Sequence, residues 1–182
     1  MNPVSALFRL ALIWLCLLGL AACSTDPPPG VQPVTPFDVQ RYAGKWFEIA
    51  RLEHSFEAGL DNVSAQYRLL PDGSVEVINR GFDAKKNAWK ESTGTAKFTG
   101  DTHRGSLKVS FFGPFYGGYH VVALDPDYRW AMVVGTDRSY AWILARDKQL
   151  PAEVRTQLLE QARKLNIAVD KLVWVAQTRD DS

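Results

Sequence analysis

From residue 43 onward, apolar and polar residues alternate with period two in short runs, each bounded by Gly, Pro, Asn or Asp. This is the pattern of antiparallel strands with one dry face and one wet face. Eight runs start near Gly44, Val63, Ser74, Ala88, Ser106, Tyr119, Arg129 and Tyr140. Alternation is plainest in Val63, Ala65, Tyr67 and Leu69 against Ser64, Gln66 and Arg68, and in Leu107, Val109 and Phe111 against Ser106, Lys108 and Ser110. Pro71-Asp72-Gly73 and Asp125-Pro126-Asp127 supply turns, and links this short predict hairpins between consecutive strands. Over 119–124 and 130–134 both faces become apolar, so those strands need a cover on the outside. Pro151 can open a helix at its first turn, with Val154, Leu158, Ala162 and Leu165 on one face and Glu153, Arg155, Glu160 and Arg163 on the other. A last strand over 172–176 follows.

Eight sequential antiparallel strands are enough to close on themselves, which removes the sheet edges and leaves room inside for one small ligand. The expected fold is therefore all-β: an eight-stranded antiparallel up-and-down β-barrel with one C-terminal α-helix packed outside and a short final strand. A β-sandwich with a helix satisfies the same alternation.

The first residues break the pattern. Arg9 is the only charge before Asp26, and the apolar run from Leu10 ends in small residues at Ala22, as a signal peptide does; as a spanning helix it would be short and poorly flanked. Leu20-Ala21-Ala22-Cys23 resembles the lipobox of bacterial lipoproteins. In such proteins the thiol is lipidated and the chain is then cut just before it, which requires small residues at the peptidase site. The other reading is a plain secretory signal with an incidental cysteine. Ser24 stands where Asp is associated with inner-membrane retention, so the resemblance implies the outer membrane of a Gram-negative bacterium, with the protein facing the periplasm and lipid-anchored through acylated Cys23.

On this reading residues 1–22 are the signal peptide, 23–36 a tether and 37–182 the folded domain. Five of the ten prolines fall between Cys23 and Phe37, a composition that favours an extended spacer. The two cysteines are Cys16, inside the segment to be removed, and Cys23, so a disulfide within the mature chain is excluded. Removing 1–22 takes Arg9 and no acid, which turns the formal charge of +1 into zero. A neutral body gives no electrostatic reason to expect nucleic acid as a partner.

Gly44-Lys45-Trp46-Phe47-Glu48-Ile49-Ala50-Arg51 resembles the G-x-W signature that opens the lipocalin barrel. Leu124-Asp125-Pro126-Asp127-Tyr128 resembles the family's second motif, a T-D-Y turn, with Pro126 standing where the motif has Thr. Ile143-Leu144-Ala145-Arg146 resembles the third, an Arg near the end of strand eight. In an up-and-down barrel these three places lie at one end, where the family packs the Trp against the Arg. Gly44, Trp46, Asp127, Tyr128 and Arg146 are thus the expected structural motif residues. Gly135-Thr136-Asp137 is closer to T-D-Y in letters but falls at the opposite end. With the lipobox, residues 110–119 and residues 140–146, the whole of 37–177 resembles the bacterial lipocalins.

The resemblance implies a ligand mouth at the end away from Trp46, ringed by the 54–62 loop, the 82–87 turn, the 113–118 loop and the 136–139 turn. Phe82, Phe111, Phe112, Phe115, Tyr116, Tyr140 and Trp142 are the candidate ligand-binding residues, and Trp142 shares strand parity with Arg146 and should point inward. Half of these aromatics can equally fill the core or lie under the helix. An apolar pocket with a polar rim suits a fatty acid or a lysophospholipid, whose buried methylenes contribute about 0.8 kcal/mol each. The run 111–119 also reads as a contact for a second subunit, giving a homodimer, or for a bilayer.

Arg51, Lys85, Lys86 and Arg138 can meet a headgroup or stand as scattered surface charges. His54, His103 and His120 have no metal-ligand spacing, and neither metal nor cofactor is expected. The chain lacks a Gly-x-Ser-x-Gly elbow, a His-Glu-x-x-His helix and a phosphate-binding glycine loop, so the expectation is a binding protein. Glu48 faces inward by parity with Trp46 and keeps an isomerase or hydrolase open. A structural envelope lipoprotein with a filled core is the third reading.

Overall fold

The computed structural model describes residues 24–180. The expected signal segment 1–22 and the lipidation site Cys23 lie outside the described residues. A short helix α1 (Val39–Tyr42) precedes eight strands: β1 (Gly44–Leu52), β2 (Leu60–Leu69), β3 (Val75–Asp83), β4 (Ala88–Phe98), β5 (Ser106–Phe112), β6 (Phe115–Leu124), β7 (Trp130–Val134) and β8 (Ala141–Ala145). Helix α2 (Ala152–Lys164) and a final strand β9 (Leu172–Trp174) complete the chain.

Each strand pairs antiparallel with the next, and β1 pairs with both β8 and β2, so the sheet closes into a barrel. The expected fold is the observed one. Several strands run longer than the alternation suggested. β6 starts at Phe115, so the expected 113–118 loop is a turn at Gly113 and Pro114, with Phe112 paired to Phe115 across it.

β1 spends its second edge twice. Gly44 to Phe47 pair with β2, whereas Ala50 to Leu52 pair with β9. Beyond β9, the Gln177 amide donates to the carbonyls of Glu48 on β1 and Val63 on β2, at 2.9 and 2.8 Å. The Asn62 carboxamide oxygen accepts from the backbone of Thr178 and Arg179. The C-terminal stretch therefore satisfies backbone groups that the splaying of β1 from β2 would leave unpaired, which burial would otherwise penalise.

Apolar side chains form two clusters. The outer one lies between the barrel wall and α2, where Leu158 and Ala162 are buried against Val122, Met132, Val134 and Ile143. This is the cover that the doubly apolar strands required. The inner one fills the lower barrel around Trp46, Tyr67, Val77, Leu107, Val133 and Leu144.

Residues 24–36, expected as an extended spacer, instead lie along the barrel. Val31 is 2 % exposed within the outer cluster, and Val34 donates to the carbonyl of Val121 while accepting from Gly105. The composition argument overlooked that prolines arrive with φ already fixed, so laying such a segment down loses less chain entropy than usual.

Candidate functional site

One end of the barrel is closed. Trp46 is fully buried, its indole NH donates to the carbonyl of Tyr42 at 2.8 Å, and the Arg146 guanidinium lies 3.9 Å from the centre of its ring. Arg146 also donates to the carbonyls of Lys45, Arg41, Tyr42, Ala43 and Tyr128. A planar, permanently charged fork with several donors is suited to collecting the free carbonyls of a chain entering a barrel. Gly44 has a φ of 98°, and a Cβ there would lie 3.2 Å from Arg146 Nη1, so both backbone and space favour glycine. In the 125–128 turn, Asp125 accepts from the backbone of Asp127 and Arg129 and from the Arg129 side chain, and the Tyr128 hydroxyl accepts from the backbone NH of Asp38. Asp127 itself is exposed, 3.8 Å from Arg129, while Pro126 contributes its carbonyl to Arg41.

Above this base is a cavity of about 750 Å³. Its walls include Val63, Ala65, Val75, Val77, Ala96, Leu107, Val109 and Leu144, and Phe111 lies inside across Gly94, where a Cβ would come within 2.8 Å of its ring. The floor is a chain of buried phenols: the hydroxyls of Tyr42 and Tyr119 are 2.7 Å apart, and those of Tyr67 and Tyr119 are 2.8 Å apart. Burial raises the pKa of all three, so they stay protonated. Three hydroxyl hydrogens share two hydrogen bonds, which leaves one donor for whatever sits above.

A second polar cluster lies on the wall near the mouth. In an ordinary strand residues three apart face opposite sides, but a bulge between Glu48 and Ala50 brings Glu48 and Arg51 to the same face, 2.9 Å apart. Arg51 is 1 % exposed and also donates to Glu53 and to the carbonyls of Glu57 and Leu60, so the loop after β1 is tied to the wall. Glu57 accepts from the Trp142 indole at 3.1 Å. Burial, together with the Glu57 charge, pushes Glu48 from an ordinary 4.5 to about 8. Burial likewise raises Glu57 and lowers His54, which stacks on Tyr140 at 4.1 Å.

Trp142, Tyr140, Phe111, Phe112, Phe115 and Tyr116 all border the cavity, with Phe112 80 % and Phe115 76 % exposed at its rim. Phe82 does not. β3 turns Val75, Val77, Asn79 and Gly81 toward the cavity, so Phe82 faces outward, its ring edge-on to Trp89 at 5.4 Å and beneath the Arg179 guanidinium. Of the mouth cations, Arg51 is buried with its guanidinium donating to Glu48 and Glu53, Arg138 donates to the carbonyls of Leu165 and Pro29 on the outside, and Lys85 and Lys86 are exposed on the β3–β4 turn. His103 is exposed, and His120 is buried beside Ser106. The floor tyrosines and Glu57 were not among the candidates. Tyr67 was readable, because it shares a face with Val63 and Ala65, but Glu57 sits in a loop with no period to read.

A profile of the lipocalin-like domain family matches residues 37–177. The chain belongs to the lipocalins. It is 50% identical over 159 residues to the outer membrane lipoprotein Blc of Escherichia coli K12, a match covering 87% of this lipocalin and 90% of that protein. The Blc protein of Citrobacter freundii is 48% identical over 167 residues, covering 92% and 94%. Among solved structures, insecticyanin from the tobacco hornworm Manduca sexta superposes with a TM-score of 0.64 at 23% identity, covering 87% of this chain and 88% of that one, a likeness of fold alone.

Proposed function

We propose that this lipocalin is an outer membrane lipoprotein that binds a single-chain amphiphile, a fatty acid or a lysophospholipid, and stores or carries it in maintenance of the bacterial envelope. The observation that carries the reading is a cavity closed at the Trp46 end, walled by aliphatic side chains and open at an aromatic rim. Burying each methylene of an acyl chain there contributes about 0.8 kcal/mol, whereas the headgroup remains near the rim in contact with water. Lipidation at Cys23 is supported by the lipobox resemblance and by 48–50% identity to proteins named outer membrane lipoproteins. Binding is the role this reading assigns: the Glu48 carboxyl accepts from the Arg51 guanidinium, and the cavity wall is mostly aliphatic.

Two measurements test the reading. Lipid extraction of the purified protein followed by mass spectrometry is expected to yield one single-chain amphiphile per barrel, and intrinsic tryptophan fluorescence should titrate saturably with lysophospholipid. Absence of copurified lipid together with a flat titration would leave a barrel that holds nothing.

A further inference from the structure

The three phenols of the cavity floor reach it from separate elements. Tyr42 ends α1, Tyr67 stands on β2 and Tyr119 on β6, and all three line the cavity. Ring packing holds them in place. The Tyr42 ring lies 5.1 Å from Phe37, 4.8 Å from Trp46 and 5.5 Å from Tyr67, and Tyr67 meets Tyr119 edge-on at 6.0 Å. Filling the closed end needs only those rings, and phenylalanine would supply them without taking polar oxygen out of water. The hydroxyls bond to one another and to no other group among the described residues. However they rotate, three hydrogens serve two bonds, and one donor is left over.

The partner this donor calls for is a neutral oxygen. Glu48 and Glu57 line the same cavity, and burial raises both toward the protonated form. A carboxylate brought to the floor would give up its water for a place where carboxyls are already driven neutral. The Arg146 charge below acts on Tyr67 in the opposite sense, but less than the two acids do, and its guanidinium is committed to backbone carbonyls. A hydroxyl or keto oxygen carries no charge to desolvate. From Tyr67 up to Leu60, both on the cavity wall, β2 climbs seven residues. At the usual rise and strand tilt this is a height of roughly 18 Å, the scale of an extended acyl chain. A chain that enters tail first therefore brings its far end to the phenols.

We propose that Tyr42, Tyr67 and Tyr119 form a binding subsite for a neutral oxygen at the far end of the acyl chain, so that the cavity takes chains oxygenated at that end in preference to plain ones. The proposal rests on the amphiphile reading above and narrows it to the chemistry of the chain. A methyl end covers the spare donor without replacing the hydrogen bond that water gave it, whereas an oxygen accepts that bond. Selectivity then comes from the polar group that the wrong ligand leaves unpaired.

The test titrates the full protein, stripped of copurified lipid, with palmitate, α-hydroxypalmitate and ω-hydroxypalmitate by calorimetry at neutral pH. The ω isomer is expected to bind about threefold to tenfold more tightly than either of the others, the net worth of one hydrogen bond. In Tyr42→Phe/Tyr67→Phe/Tyr119→Phe, which keeps the rings and removes the three donors, the order is expected to reverse, with the ω isomer weakest. The two hydroxy isomers differ only in where the oxygen sits, so their comparison decides the proposal even where the triple variant fails to fold. An ω isomer that binds no tighter than the α isomer or palmitate overturns the subsite, and so does a preference for it that survives in the folded triple variant. A triple variant that loses affinity for palmitate itself overturns the tail-first arrangement and the subsite with it. Palmitate binding without preference leaves the amphiphile reading in place, whereas no binding of any of the three overturns both.

Discussion

The two ends of the barrel are built on opposite terms. At the base, Trp46 has no exposed surface, Arg146 is bonded to five backbone carbonyls, and side chains fill the interior to the level of the tyrosine floor. At the mouth, phenylalanines stand in the open, and burial holds the Glu48 carboxyl above the ordinary carboxylate range. The contrast shows a division of labour along the strands. The same chain segments provide stability at one end and retain unfilled space at the other, so mutations should sort by height in the barrel rather than by strand.

The largest separation is expected from Trp46→Ala. Removing a fully buried indole leaves a cavity under Arg146 and should lower stability by about 3–5 kcal/mol in urea unfolding. The affinity of the protein that remains folded should change little, because Trp46 is not among the residues lining the cavity. Trp142→Ala is the converse. It removes part of the cavity wall and the donor to Glu57, and ligand affinity should fall about tenfold, equivalent to about 1.4 kcal/mol. A Trp142→Ala protein that loses stability but binds normally would erase the division.

Most of the base was legible before any coordinates, and much of the mouth was not. Gly44, Trp46, Tyr128 and Arg146 are fixed by steric and hydrogen-bonding demands that leave a spaced motif in the sequence, whereas in the turn it is Asp125, not the exposed Asp127, that holds the backbone. The mouth depends on departures from regularity. Arg51 reads as a rim cation only if β1 keeps its period, and the bulge after Glu48 turns it into a buried partner instead. Phe82 was placed by its nearness to a turn, although the inward parity of Val75 and Val77 already predicted that it faces outward. Gly117 and Gly118 suggested a loop, but cross-strand pairing to β5 carries β6 through them. The packed N-terminal segment was hidden for a different reason: composition reports how a segment behaves alone, not what a neighbouring wall offers it.

The protonated acid gives a pH-dependent version of the comparison. Because the folded state holds the Glu48 proton up to about 8, against 4.5 for an ordinary carboxyl, folded protein binds that proton more tightly than unfolded chain does. This contribution is fully present below the ordinary value and declines as pH rises toward 8. Glu48→Gln should flatten the difference, so that the gap between variant and parent in Tm changes by an amount equivalent to about 3–4 kcal/mol between about pH 5 and 8. A parallel pair of Tm–pH curves would mean that the Arg51 ion pair keeps Glu48 charged throughout.

The smallest effect is expected from Phe112→Ser, and its smallness is informative. One step along β5, Phe111 lies inside against Gly94, whereas Phe112 at the tip is 80 % exposed. A side chain that has surrendered so little surface to water exclusion has little stability to lose, so urea unfolding should shift by no more than about 0.5 kcal/mol. If the shift were several times larger, Phe112 would be packing against something in solution, and the mouth would have to be regarded as a closed surface like the base. If stability holds while ligand affinity falls, the exposed ring is retained for what it meets outside the folded core, and the two ends differ in purpose as well as in packing.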